Sequence, residues 1–251
     1  MSAGAILLFS KYPSKLVGYY TGGFMPKLQQ VPEAHVEYAY GIYLLTPKHR
    51  LMRTLRRRYQ PVIHGHRAWG SSYLLMDYLT HRGMRRGARA AEIGCGWGGL
   101  SIFCARKFNA KMTGIDLDPA VFPFMDVLAD LNGVEVAQNP INLNALKGRD
   151  LGEFKYIFGS DVCFWDSLID PLARMTGRAL NNGVERVIIA DPGRPTFYEY
   201  CDLMATRHNA TLQEWYAIEP DRFEGEIVEI KKKSRKKRAT PRILKDQKED
   251  K

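Results

Sequence analysis

The sequence has few cysteines and no long hydrophobic run, and both absences narrow the class of protein. Its cysteines are Cys95, Cys104, Cys163 and Cys201. They form no Cys-x-x-Cys pair, so their spacing predicts neither a disulfide scaffold nor a structural zinc site. Every apolar stretch is shorter than the roughly 20 residues that a transmembrane helix needs, and residues 1–9 lack the positive charge that begins a secretory signal. We therefore expect a cytoplasmic protein with no membrane association.

The chain also lacks a uniform charge, although its 251 residues carry a net charge of +10. Residues 1–60 carry +7, residues 61–230 carry −5 and residues 231–251 carry +8. A mildly acidic centre suits a basic protein substrate as well as an anionic one. We predict a basic, aromatic N-terminal extension to residue 60, a catalytic domain over 61–231, and a disordered basic tail over 232–251. The tail is either simply solvated or contacts an acidic protein or nucleic acid.

The N-terminal extension contains one predicted helix. Thr46 and Pro47 are typical of an N-cap and a first helical position, and apolar residues recur at helical spacing from Leu51 to Tyr59. We predict a helix of about 12 residues, which places Arg56–Arg58 in its last turn, where cations interact favourably with the helix dipole. Contact with nucleic acid is the alternative role of this arginine run.

Between residues 69 and 231, segments with helical periodicity alternate with short apolar segments typical of buried strands. The predicted helices are 69–79, 101–108 and 121–132. The predicted strands are 89–93, 111–116, 134–138, 156–160, 187–190, 210–218 and 226–231. Strands that alternate with helices form parallel sheets, and no helix separates the last two strands. The pattern predicts an α/β, Rossmann-like, seven-stranded and mostly parallel sheet with a terminal antiparallel hairpin and helices on both faces.

A glycine-rich turn joins the first strand of this sheet to the next helix. It reads Glu92-Ile-Gly94-Cys-Gly96-Trp-Gly98. Glycine lets the backbone turn sharply and approach a ligand at the edge where open parallel sheets bind nucleotide-like molecules. A dinucleotide site has the spacing Gly-x-Gly-x-x-Gly, whereas this turn has Gly-x-Gly-x-Gly after an acid. A carboxylate attracts a cation and repels a phosphate. The acid before the turn therefore favours the sulfonium cofactor S-adenosylmethionine over a dinucleotide.

A second acid follows at the end of the next strand. Asp116 lies 24 residues after Glu92, near the spacing at which a carboxylate accepts hydrogen bonds from ribose hydroxyls. Leu117 and Asp118 are then expected beside the adenine. This segment thus contains, in order, a strand, an acid, a glycine turn, a helix, a second strand and a second acid. The combination predicts a methyltransferase.

Two residues inside the glycine turn allow more than one interpretation. Cys95 is either a reactive thiolate at a helix N-terminus or a small residue that fits the turn, and we favour the second. Trp97 either covers the cofactor or only shields the turn. Both are retained as cofactor-binding candidates.

From about Gly65 to Arg194, the chain resembles the seven-strand protein lysine methyltransferases of the family-16 group, and within it the electron-transfer-flavoprotein β-subunit lysine methyltransferases. The matching segments are Gly65–Trp69, the glycine turn, Gly114–Asp116, Ser160–Phe164 and Asp191–Arg194. After the third strand, where relatives often have Asp-Trp, this chain has Asn-Pro-Ile-Asn-Leu over residues 139–143. Residues 1–60 and the basic tail match nothing in the group.

The resemblance implies S-adenosylmethionine as the cofactor, a protein substrate and no metal. It implies that Asp161 lies beside the target nitrogen and that Phe164 forms part of the acceptor channel. It also implies that Trp69 lies near the methionine portion of the cofactor, and Ser160 and Asn142 complete the cofactor-binding candidates. His64 and His66 alternate as metal ligands can, but no carboxylate or cysteine cluster accompanies them.

The chemistry of lysine methylation agrees with these roles. A lysine amine, with a pKa of about 10.4, has to lose a proton before it attacks a sulfonium, so an acid that orients the amine and an aromatic ring that holds its cation are both useful. Alternatively, Asp161 caps the next helix, Trp69 is a core residue, and Asp191–Arg194 only ends a strand. If that last segment is functional, Arg194 positions an acidic group of the target.

Three other functions stay open from the sequence. The acceptor is a small molecule, or it is associated with ribosomes or nucleic acid, or the chain is a non-catalytic RNA-binding module that retains the fold. Methylation of a planar amide or base nitrogen is disfavoured, because Asp161-Val-Cys-Phe164 lacks the two prolines typical of those enzymes. The oligomeric state is not predicted.

Overall fold

The computed structural model describes residues 34–62 and 70–233 of the chain. The strands are β1 (Val36–Ala39), β2 (Ile42–Leu45), β3 (Arg89–Ile93), β4 (Lys111–Asp116), β5 (Val136–Pro140), β6 (Tyr156–Ser160), β7 (Arg186–Asp191), β8 (Asn209–Ala217) and β9 (Phe223–Lys231). The helices are α1 (Arg50–Arg58), α2 (Gly70–Arg82), α3 (Gly99–Phe108), α4 (Phe122–Asn132), α5 (Gly148–Leu151), α6 (Asp166–Asn181) and α7 (Pro195–Arg207), and a short 3-10 helix spans Pro119–Val121.

Seven strands form one sheet in the order β5-β4-β3-β6-β7-β9-β8. The first five are parallel, whereas β9 pairs antiparallel with both β7 and β8. The chain leaves β3 toward β4 and β5 and then crosses to the other side of β3 to form β6. This reversal creates a crevice at the carboxyl ends of β3 and β6, where open α/β sheets bind ligands. The predicted fold class, including the terminal antiparallel hairpin, is confirmed.

The two faces of the sheet are covered by different helices, because successive strand residues point to opposite faces. Ala90, Phe158 and Ile188 pack with α2, α3 and α4 in one buried cluster. Their chain neighbours Ala91 and Ile157 pack with α5, α6 and α7 in the other. The central strands are apolar on both faces, as parallel strands covered on both sides must be.

The N-terminal region differs from its prediction in two respects. Helix α1 begins at Arg50 rather than at Pro47, because the ring of His49, instead of Thr46, accepts the capping hydrogen bond from the amide of Leu51 at 3.2 Å. It is nine residues long, and the predicted arginine run does lie in its last turn. The hairpin of β1 and β2 was not predicted, and together with α1 it packs on the face that carries α2, α3 and α4.

Strand β5 begins at Val136, two residues later than predicted. The amide of Val134 donates to the carbonyl of Ala129 at 3.1 Å, and Gly133 ends α4 in a left-handed conformation. The end of the helix therefore holds residue 134, so pairing with β4 starts later. Within residues 34–62 and 70–233, no helix is long and apolar enough to cross a bilayer.

Candidate functional site

A cavity of about 300 Å³ lies at the edge of the sheet where β3, β4, β5 and β6 end. The turns that follow these strands form its wall, together with parts of β2, α2 and α6. The predicted site residues in this wall are Gly94, Cys95, Gly96, Trp97, Gly98, Asp116, Leu117, Asn142, Ser160, Asp161 and Phe164. Motifs that are distant in sequence therefore meet at one site, because parallel strands present their carboxyl ends at the same edge.

The glycine turn needs glycine both for its backbone conformation and for space. Gly94, Gly96 and Gly98 have φ angles of +59°, +50° and +71°, in the left-handed region that L side chains rarely adopt. A Cβ on Gly98 would lie 2.5 Å from the Cγ and Sδ atoms of Met125. The turn ends at Gly99, which begins α3 and lines the cavity, so it brings unpaired amides of the helix N-terminus to the site.

Glu92 is buried at the end of β3 and does not line the cavity. Its Oε2 atom accepts hydrogen bonds from the amide of Ser101 at 2.9 Å and from its hydroxyl at 2.6 Å. Burial raises the pKa of the Glu92 carboxyl to about 7, although the bonds from Ser101 oppose the rise. The carboxyl thus ties α3 to β3, and its predicted interaction with a sulfonium stays a prediction.

Asp116 presents its carboxyl to the cavity at the end of β4. Its Oδ2 accepts a hydrogen bond from the amide of Gly96 at 3.0 Å, and its Oδ1 accepts one from the amide of Asp118 at 3.0 Å. Burial raises the pKa of Asp116 above its usual value, against the effect of these amides. The next residue, Leu117, lines the cavity and is 53% exposed. The carboxylate is thus fixed beside the glycine turn, and its predicted hydrogen bonds to a ribose stay a prediction.

Asp118 has local contacts that explain its presence without a ligand. Its Oδ1 accepts from the amide of Ala120 at 2.9 Å and caps the short 3-10 helix, and its Oδ2 accepts from the amide of Val62 at 2.7 Å. It is not among the residues that line the cavity. Its predicted place beside the adenine stays a prediction.

Cys95 and Trp97 are both buried in the turn. Burial raises the pKa of the Cys95 thiol well above its ordinary value, and Glu92 and Asp116 act in the same direction. The thiolate interpretation is therefore disfavoured, and Cys95 serves as a small residue in a tight turn. Trp97 is stacked on Phe124 with ring centroids 5.1 Å apart, so it shields the turn while it lines the cavity.

Three further residues were predicted to bind the cofactor, namely Ser160, Asn142 and Trp69. Ser160 shares a hydrogen bond with Ser72, with 2.9 Å between the two hydroxyl oxygens. The Oδ1 atom of Asn142 accepts from the amide of Asn144 at 2.9 Å and so orders the loop after β5. Both residues line the cavity, whereas Trp69 lies outside the residues that the structure describes.

Asp161 has an unusual backbone conformation and a fully engaged side chain. Its φ angle is +55°, which is uncommon for a residue other than glycine. Its amide donates to the carbonyl of Ala190 at 3.0 Å, at the end of β7. Oδ1 lies 2.9 Å from Nη1 of Arg194, and Oδ2 accepts from the amide of Ser71 at 3.3 Å. The carboxylate is held in the cavity wall by two contacts, one from α2 and one from the turn after β7, and β7 holds the backbone amide. The alternative interpretation, that Asp161 caps the next helix, is not supported, because the N-cap of α6 is Trp165 and no side chain caps it.

Phe164 lies on the same side of the cavity. The guanidinium carbon of Arg194 lies over its ring, 4.1 Å from the centroid. One cation of the chain itself therefore contacts both residues that were predicted to receive the acceptor. The exposed ring of Trp165 lies beside Phe164 and extends this aromatic wall toward solvent.

An apolar part of the cavity wall was not predicted from the sequence. Leu44 and Leu45 of β2 and Tyr73 and Met76 of α2 also line the cavity. An apolar run bounded by Gly41 and Pro47 is a signal that could have indicated β2, but nothing local indicates that it reaches the site.

In the described residues, 34–62 and 70–233, no group of three His, Cys, Asp or Glu side chains is arranged to hold a metal ion. Instead, the strand order, the glycine turn after β3 and the acid at the end of β4 define the class I, seven-strand methyltransferase fold.

Comparisons with known proteins give more particular similarities, although no family model matches the chain. The electron transfer flavoprotein beta subunit lysine methyltransferase of Xenopus laevis is 27% identical over 130 residues, 51% of this chain and 51% of that protein. A probable fatty acid methyltransferase of Pseudomonas putida is 25% identical over 121 residues, 43% of this chain and 30% of that protein. The YcgJ protein of Bacillus subtilis has a TM-score of 0.49 at 14% identity, over 65% of this chain and 99% of that one.

The chain thus spans about half the length of the first of these relatives and less than a third of the second.

Proposed function

We propose that the chain is an S-adenosylmethionine-dependent methyltransferase that modifies a lysine side chain of a protein. The observation that carries the proposal is the position of Asp161, whose carboxylate lines the same cavity as the glycine turn. The choice of lysine as the acceptor is supported by the similarity to a protein that is named a lysine methyltransferase.

The cofactor side of the cavity fits S-adenosylmethionine on two independent grounds. The left-handed glycine turn leaves no room for a side chain at Gly98 and brings its backbone to the site, and Asp116 offers a carboxylate to a ribose. When bound, this cofactor supplies a methyl group activated on a sulfonium. The residues proposed to hold it are Gly94, Cys95, Gly96, Trp97, Gly98, Asp116, Leu117, Asn142 and Ser160.

The acceptor side has the charge and the shape that an ammonium group requires. When ionised, Asp161 and Asp191 together carry two negative charges, and the positive charge of Arg194 neutralises only one of them. The remaining negative charge lies in a largely buried site, where it attracts a cation more strongly than it would in water. Asp161 orients the amine and accepts its N–H, while Phe164 and Trp165 limit the access of water.

A small-molecule acceptor is the second candidate, favoured by a specific observation. Much of the cavity wall is apolar, including Ile115, Ile141 and Leu143, and one relative carries the name of a probable fatty acid methyltransferase. A fatty acid would not need the negative charge that Asp161 brings to the wall, and we therefore rank it second.

We also propose that residues 232–251 deliver the enzyme to an acidic partner, and that it works in the cytoplasm. The tail carries ten lysines and arginines in 20 residues, which is a higher density of cations than in the catalytic domain. Its deletion should raise KM for a folded protein substrate and leave methylation of a short target peptide unchanged. An equal rise in KM for the peptide would contradict this role.

The deciding experiment combines an unbiased acceptor screen with a site variant. Purified enzyme and cofactor with a labelled methyl group are added to a cell lysate, and the labelled fraction is identified by mass spectrometry. We expect label on a protein lysine. Asp161→Ala should keep its affinity for the cofactor in calorimetry but lose transfer, because its carboxylate contacts Ser71 and Arg194 and makes no hydrogen bond to the glycine turn. Asp170→Ala is the matched control, since that exposed carboxylate pairs with Arg174 outside the cavity.

Each other outcome excludes part of the proposal. Label in RNA or in lipids would exclude the protein acceptor. Cofactor binding with no label in any fraction would support the non-catalytic RNA-binding module, and full transfer by Asp161→Ala would remove that residue from the site.

A further inference from the structure

The turn after β7 is folded around its own buried acid. The carboxylate of Asp191 is fully buried, and its Oδ1 accepts hydrogen bonds from the amides of Gly193 at 3.0 Å and Arg194 at 2.9 Å. Its Oδ2 lies 2.7 Å from Nη1 of Arg194. Both the backbone and the side chain of Arg194 are therefore fixed by Asp191.

From this fixed position, Arg194 contacts the acceptor side of the cavity from outside. The same Nη1 atom lies 2.9 Å from Oδ1 of Asp161, and the guanidinium carbon lies over the ring of Phe164, 4.1 Å from its centroid. Arg194 does not itself line the cavity. It is thus placed to set the positions of two cavity residues without contacting an acceptor held between them.

The backbone of Asp161 makes such a restraint necessary. A left-handed φ angle is unfavourable for aspartate, and it persists only where surrounding contacts determine it. The side-chain contacts available are the amide of Ser71, at a long 3.3 Å, and the guanidinium of Arg194 at 2.9 Å. Of the two, the charge-assisted bond to Arg194 is the shorter and the stronger.

We propose that Arg194 is a positioning residue that holds the Asp161 carboxylate and the Phe164 ring in the geometry that receives the acceptor amine. This role rests on the proposed methyltransferase function and deepens it. The guanidinium is suited to it because one planar group bridges two carboxylates and stacks on a ring, which an ammonium group cannot reproduce. In this proposal the Asp191–Arg194 turn does more than end a strand, because its cation acts on Asp161 and Phe164.

The chain contains a closely matched control at the other end of the same strand. Arg186 begins β7, pairs with Glu229 at 3.3 Å and lies over the ring of Tyr156 at 4.9 Å. Its side chain is 21% exposed, against 25% for Arg194. Arg186 has a similar ion pair, ring contact and burial, but it lies at the edge of the sheet opposite the cavity.

The test compares Arg194→Met, Arg194→Lys and Arg186→Met with the wild-type full-length chain. For each protein we would measure the thermal unfolding midpoint and the cofactor Kd by calorimetry. We would also measure kcat and KM for the protein substrate that the lysate screen identifies. Arg194→Met should lower kcat by about 100-fold, because a displacement of about 1 Å in a reacting geometry costs that much, and should leave the cofactor Kd unchanged. Arg194→Lys should recover part of kcat. Arg186→Met should lower only the unfolding midpoint.

A double-mutant cycle shows whether Arg194 acts through Asp161. In the Asp161→Asn background, Arg194→Met should lower kcat much less than it does in the wild type, because residues that act as a unit are not additive. The full loss in that background would overturn the proposal, as would an unchanged kcat in Arg194→Met or an equal loss in Arg186→Met. If the wild-type chain binds the cofactor but transfers no methyl group, the proposed function itself fails, which is a different result.

Discussion

Replacement of Glu92 by glutamine tests how far burial perturbs the acid of the glycine turn. Because the pKa of Glu92 rises from an ordinary 4.5 to about 7 in the folded chain, the native state binds this proton more tightly than the unfolded state. Stability from this group is therefore fully present at low pH and is lost as the pH rises from about 4.5 to about 7. The shift corresponds to about 3 kcal/mol at most.

The assay is urea unfolding of the wild type and Glu92→Gln between pH 5 and pH 8. The amide keeps an oxygen for the hydrogen bonds from Ser101 but cannot ionise, so the variant should gain stability relative to the wild type as the pH rises. The gain should level off above pH 7. The exposed Glu135→Gln is the control, and its curve should run parallel to the wild type. Parallel curves for Glu92→Gln as well would refute the assignment of a desolvated carboxyl.

Three other substitutions test separate parts of the molecule. Asp116→Ala should weaken cofactor binding by about tenfold or more in calorimetry, and an unchanged Kd would remove this residue from the ribose site. Gly98→Ala should lower the free energy of unfolding by about 2 kcal/mol, since it combines a left-handed φ with a contact on Met125, and an unchanged urea midpoint would contradict this. Tyr40→Phe should cost about 1–3 kcal/mol with an unchanged cofactor Kd, because its hydroxyl donates to Asp77 of α2 at 2.9 Å and accepts from the amide of Ile218 after β8 at 3.0 Å.

The sheet was predictable because its signals are local. The apolar strands, the glycine turn and the acids at strand ends each occupy a few consecutive residues, and parallel topology then brings the strand ends together. The seven-strand fold followed from these patterns, and the cavity wall contains eleven of the residues selected from the sequence.

The hairpin of β1 and β2 was missed for an equally physical reason. Each strand has four residues, and the turn between them places Tyr40 at a φ angle of +51° and Gly41 at +86°. Tight hairpin turns favour Asn-Gly or Asp-Gly, so Tyr-Gly gives no recognisable signal. The conformation is determined by tertiary contacts instead, since the hydroxyl of Tyr40 accepts from the amides of Ile218 and Glu219.

The two sides of the cavity are held in different ways, and this difference bears on how the acceptor is chosen. On the cofactor side, the Asp116 carboxylate is held by two backbone amides, those of Gly96 and Asp118. These contacts do not depend on neighbouring side chains. On the acceptor side, the shorter of the two contacts that hold the Asp161 carboxylate comes from a side chain, that of Arg194 in the turn after β7, and the longer one from the amide of Ser71. Substitutions around Asp161 can therefore change the acceptor geometry without disturbing the glycine turn. Substitutions on the acceptor side are expected to abolish transfer while cofactor binding is retained. Substitutions on the cofactor side are expected to weaken cofactor binding itself.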